Sequence, residues 1–166
     1  QTFQPNMDEL EQKITKNTKA LIINTPNNPT GVIYSEETLK TLSEILTKKE
    51  KEIGHPIYPI SDEPYRELFY GDFKIPFVPD FYPNTIIAYS FSKSLSLPGE
   101  RIGYVTIHSE ADGFEELDSA MTVANRISGF VNCPTLWQKV VPYVMDTHVD
   151  VSVYKKNRDD LYAILQ

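Results

Sequence analysis

The chain has 166 residues, 40% of them hydrophobic and 11% aromatic. That composition suits one globular domain burying about 70% of its unfolded surface, and it argues against disorder. A formal charge of −7 disfavours a nucleic-acid or anionic-membrane surface. No apolar run approaches the roughly 20 residues that span a bilayer, no signal-peptide pattern opens the chain, and the single Cys133 makes no internal disulfide. A soluble, cytoplasmic protein with no membrane segment is therefore expected.

In chain order, Asp8 to Ile14 carries acids early and sets Leu10 and Ile14 one turn apart, which predicts a short helix. Lys19 to Asn24 is a continuous apolar run of the kind seen in strands covered on both faces. It ends in Thr25-Pro26-Asn27-Asn28-Pro29-Thr30-Gly31, a rigid turn in which Asn28-Pro29 has the sequence of a candidate cis bond. A helix follows, with Ser35 as N-cap, Leu39, Leu42, Ile45 and Leu46 on one face, and Gly54 at its stop. Pro56 to Ile60 reads as a short strand and Arg66 to Pro83 as a packed loop. Asn84 to Tyr89 and Ile102 to Ile107 are two further strands, and helices are expected over Phe114 to Ile127 and Pro134 to Thr147. Pro142 predicts a kink or break in the latter. A helical stripe from Asp150 runs to Gln166 without a C-cap signal. Strand–helix–strand order predicts an α/β fold, with a mostly parallel sheet and helices on both faces.

Candidate chemistry gathers where strands end, because ligands in open α/β sheets bind at the carboxyl edges of the strands. The most informative stretch runs from Ser90 to Tyr104: two hydroxyls at Ser90 and Ser92, an amine at Lys93, and Arg101 eight residues after the lysine. Hydroxyls and a guanidinium fork suit phosphate oxygens. A lysine beside a phosphate-bearing aldehyde suggests a Schiff base with pyridoxal phosphate (PLP). Each residue also has an ordinary structural reading. Asn28 can cap a turn, Asp62 can cap a helix, Tyr65 can pack in a core, and Arg101 can form a solvated ion pair. The three histidines, His55, His108 and His148, share no metal-ligand spacing, so no metal site is expected.

The order of the motifs is more specific than any one of them. Asn-Pro-Thr-Gly at Asn28, Asp-x-x-Tyr at Asp62 and Tyr65, Ser-x-Ser-Lys at Ser90 to Lys93, and then Arg101 follow at successive strand ends. This set resembles the class I/II aminotransferases, fold-type I PLP enzymes related to aspartate aminotransferase, and the resemblance covers nearly the whole chain. It implies that Lys93 forms the Schiff base and, once displaced by the amino acid, moves the substrate proton. It implies that Asp62 keeps the pyridine nitrogen protonated, and that Tyr65 and Asn28 hydrogen-bond the cofactor's 3′ oxygen. Ser90 and Arg101, with Ser92 as a weaker candidate, would bind the phosphate, and Gly99 and Gly103 would allow close backbone approach.

The same resemblance places residues 1–149 in the central and C-terminal part of the PLP-binding large domain and 150–166 in the helix leading to a small domain. The family's upstream glycine-rich loop, its ring-stacking aromatic residue and its small-domain arginine have no counterpart here. The 166-residue polypeptide is therefore not expected to transaminate by itself. Amino acid and 2-oxo acid substrates and a homodimeric parent are implied. A PLP-dependent lyase of the same fold stays open, although Tyr65, where such lyases often carry His, leans toward transamination. So does the effector domain of an aminotransferase-like transcription regulator.

Overall fold

The computed structural model describes residues 2–147 and 149–166. Its centre is a four-stranded sheet of β1 (Ala20–Asn24), β2 (Tyr58–Asp62), β3 (Ile86–Ser90) and β4 (Gly103–Ile107), in spatial order β1-β2-β3-β4. The first three strands are parallel and β4 runs antiparallel to β3. The mostly parallel sheet is thus found, with its one reversal at the turn that carries Lys93. Registers align Asn24 with Asp62, Asp62 with Ala88, and Ser90 with Gly103. The ends of β1, β2 and β3 therefore form one continuous edge.

Helix α1 (Met7–Lys13) starts at an Asn6 cap that accepts from the Glu9 amide. Helix α2 (Glu36–Ile53) makes the crossover between β1 and β2. Its Ser35 cap accepts from the Thr38 amide, and Gly54 ends it at φ 78°, a left-handed conformation that glycine adopts without Cβ strain. Leu39, Leu42 and Leu46 bury against Ile23, Ile57 and Val78, with Leu10 and Ile14 of the α1 region packed around them. Each such side chain contributes about 2 kcal/mol of burial.

The opposite side of the sheet differs from the expectation. Ile23 is buried but Ile22 is 76% exposed, so β1 is covered on one face only. Among the described residues three helices follow β4: α4 (Phe114–Ile127), α5 (Thr135–Val144) and α6 (Ser152–Leu165), none with a fully buried residue. Helix α5 continues through Pro142 and ends two residues later, so there is no break at the proline. In a last turn the missing N–H deprives only one carbonyl of its partner. Thr25-Pro26 and Asn28-Pro29 are both cis.

Between β2 and β3 the chain is irregular, and one buried ion pair organises it. Glu63 is almost wholly inaccessible. It accepts from Ser61 Oγ at 2.7 Å and from Arg66 Nη1 at 3.0 Å. Arg66 also donates to the Ile75 and Pro76 carbonyls and lies over the Phe77 ring. One guanidinium thus fastens the returning loop to the end of β2. Replacing Arg66 with alanine strands the Glu63 carboxylate, and urea unfolding of the chain is expected to show a loss of about 3 kcal/mol. A loss below about 1 kcal/mol would reduce the pair to an ordinary surface contact.

Candidate functional site

The site is built on the shared edge of β1, β2 and β3. Asp62 is the last residue of β2, half-buried, and burial raises its carboxyl above the ordinary value. Among the described residues its side chain receives one hydrogen bond, from Asn24 Nδ2 at 3.3 Å, and the same nitrogen donates to the Asp62 carbonyl at 2.9 Å. The Asn24 oxygen accepts from the Asn28 amide at 2.8 Å and from Asn27 Nδ2 at 3.3 Å. Asn27 in turn accepts from Thr30 and closes the proline-rich turn. That turn presents the Asn28 side chain, whose Nδ2 donates to the Tyr65 hydroxyl at 3.0 Å. The Lys93 ammonium lies over the Tyr65 ring, 5.9 Å from its centre.

A hollow lies beside the turn that carries the lysine. Ser90 ends β3 and caps the one-turn helix α3 (Phe91–Ser94), accepting from the Ser92 amide at 3.1 Å and donating to Ser92 Oγ at 2.7 Å. Ser90, Ser92, Arg101, Ile102 and Gly103 line a recess of about 160 Å³. Ser96 and Arg101 both hold left-handed conformations, at φ 55° and 54°. This geometry costs a residue with a Cβ about 1 to 2 kcal/mol, and such strain concentrates at ligand clamps. Arg101 Nη1 donates to the Pro98 carbonyl at 2.8 Å, and Trp137 of α5 donates to Glu100 of the same turn. A Cβ at Gly103 would sit 2.3 Å from the Tyr89 carbonyl oxygen, so the close approach expected there is found. Gly99 faces open space, so no close approach occurs at that position.

All seven residues singled out in the sequence therefore lie at strand ends or in the turns that follow. The structure brings Asn28, Tyr65 and Lys93 together directly, ties Asp62 to Asn28 through Asn24, and gathers Ser90, Ser92 and Arg101 around one recess. Sequence reasoning passed over Asn24. Its pairing with Asp62 emerges only with the register of β1 against β2. Among the described residues no group of three His, Cys, Asp or Glu side chains could hold a metal ion, and His148 lies outside them. Among the same described residues no helix is long and apolar enough to cross a membrane.

The profile of "Aminotransferase class I and II" matches residues 1–165. The chain belongs to the class I and II aminotransferases. An aspartate aminotransferase from Pyrococcus horikoshii is 42% identical over 65% of the chain and 26% of its own length. One from Sulfolobus acidocaldarius is 32% identical over 99% of the chain and 39% of its own length. The crystal structure of an amino transferase from Eubacterium rectale superimposes with a TM-score of 0.95 at 51% identity, covering 98% of this chain and 41% of that one. The chain thus spans between about a quarter and two fifths of the length of these aminotransferases.

Class I and II aminotransferases generally use PLP, and the donor set here fits that group. Burial raises the Asp62 carboxyl and, among the described residues, no cation pairs with it, so a protonated ring nitrogen is the kind of partner it lacks. The recess between Ser90 and Arg101 offers hydroxyls and a guanidinium to a phosphate.

Proposed function

We propose that the whole protein is a PLP-dependent aminotransferase, passing an amino group between an amino acid and a 2-oxo acid. The reading is carried by the convergence of an amine, a phenol and an amide (Lys93, Tyr65 and Asn28) beside a half-buried carboxylate and a recess lined by hydroxyls and a guanidinium. When bound, PLP supplies an electron-accepting ring. The chain's own residues do the rest. Asp62 would pair with the ring nitrogen, its charge favoured by a site with little water. Tyr65 and Asn28, whose polar groups already meet, would share the ring hydroxyl oxygen as their acceptor. Ser90, Ser92 and Arg101 would hold the phosphate and so fix where the ring lies. The Lys93 amine would take a proton from the substrate α-carbon and return it.

On this reading residues 1–149 form part of the cofactor-binding domain and 150–166 lead out of it. The whole protein is a homodimer in the cytoplasm that contacts neither nucleic acid nor membrane. The relatives' names make aspartate the first donor to assay. The whole protein is expected to form keto acid from aspartate only when a 2-oxo acid acceptor is supplied. Keto acid made without an acceptor would indicate elimination instead. No product from any amino acid would overturn the assignment.

A further inference from the structure

We infer that Asn24 is a positioning residue that sets the spacing between the two groups proposed to grip the cofactor ring, Asp62 and Asn28. The inference rests on the PLP reading above. One carboxamide spans both. Its nitrogen donates to the Asp62 main-chain oxygen at 2.9 Å and to Oδ2 at 3.3 Å, and its oxygen accepts from the Asn28 amide at 2.8 Å and from Asn27 Nδ2 at 3.3 Å. Two donor hydrogens and two lone pairs are the full capacity of an asparagine side chain, so nothing is left over. The orientation of the amide is fixed by its partners, since the Asn28 N–H can only donate and the Asp62 oxygens accept.

The placement follows from the sheet. Asn24 and Asp62 are paired neighbours at the last positions of two parallel strands, so the side chain of one reaches the carboxylate of the other across a strand spacing of about 4.8 Å. The bond to Oδ2 leaves Oδ1 of Asp62 as the oxygen that would face a ring nitrogen. The next carboxylate, Glu63, is engaged by Ser61 and Arg66. Lys93 lies over Tyr65, and no charged group shifts Asp62. Asn24 is thus the one side chain bonded to the Asp62 carboxylate among the described residues.

The test uses the whole protein, with PLP dissociation constants and the visible absorbance of bound PLP followed against pH. Asn24→Ala releases both contacts and is expected to raise the dissociation constant about tenfold. Asn24→Asp, nearly isosteric, keeps an acceptor for the Asn28 amide but sets a second carboxylate against Asp62. Like charges so close hold one proton between them. PLP binding in that variant is therefore expected to be weak near neutral pH and to strengthen toward wild type as pH rises, more steeply than the wild type's own binding changes over the same range. A purely structural role would lower the unfolding temperature of both variants and leave these two readouts unmoved, which would overturn the inference. Asn24→Asp carries the test if Asn24→Ala does not fold. Wild-type protein that fails to bind PLP would sink the cofactor reading and this inference together. Wild type that binds, with both variants within about twofold of it, sinks only this one.

Discussion

Replacing Lys93 with alanine is expected to cut the transamination rate of the whole protein by a factor on the order of 10⁴ and to abolish the visible band that PLP gives when joined to a lysine. The size follows from what is removed. On the proposed reading, an amine held over the Tyr65 ring, one residue beyond Ser92 in the recess, would be both the anchor for an aldehyde and the base for the α-proton. No other lysine occupies the turns at the carboxyl edge of β1, β2 and β3, residues 25–31, 63–66 and 91–101. A mutant that retained the band would assign the linkage to another residue, and rate measurements with added amines would show how much of the loss is proton transfer alone.

The second large effect is expected at Asp62, with opposite signs for activity and stability. Asp62→Asn keeps an acceptor for Asn24 but removes the charge proposed to hold the ring nitrogen protonated, and turnover should fall about 10³-fold. Ligand-free protein should meanwhile become more stable near neutral pH. Burial raises the Asp62 carboxyl above its ordinary 3.8, so just above that value the folded state binds more protons than the unfolded state. Stability arising from this group therefore declines as pH rises through the window between the two values, and the charged form remains a burden above it. The advantage of the asparagine variant should shrink as pH falls toward 3.8. Thermal unfolding of both proteins across pH checks the sign. Equal stability at neutral pH would mean that solvent reaches the carboxylate freely.

Much of this was legible in the chain itself, for local reasons. Ser35, the Leu39–Leu46 stripe and Gly54 specify α2 within a single segment, and the structure ends the helix where the glycine stands. Strand cores were visible as apolar runs, though β2 extends to Asp62, past the expected end at Ile60, because its pairing with β1 and β3 carries it there. The direction of β4 was not legible. The twelve residues from Phe91 to Ile102 carry no two-residue hairpin signature, and the reversal is fixed by the ladder between β3 and β4 and by the return of the Phe91 N–H to the Ile102 carbonyl. Asn24 was missed for a related reason: its partner lies 38 residues away, and the contact exists only once the register is known.

The bare Cα at Gly103 links the sheet to the recess between Ser90 and Arg101. Because β4 backbone lies against the Tyr89 carbonyl where any other residue would place a methyl group, the separation of β3 and β4 and the width between Ser90 and Arg101 are a single dimension. Enlarging that recess for a bulkier anion cannot proceed by trading the glycine for a longer side chain, which would prise the strands apart and spread the binding groups with them. Variation at this end of the molecule is expected at Ser92 and in the turn that carries Arg101, while position 103 stays fixed.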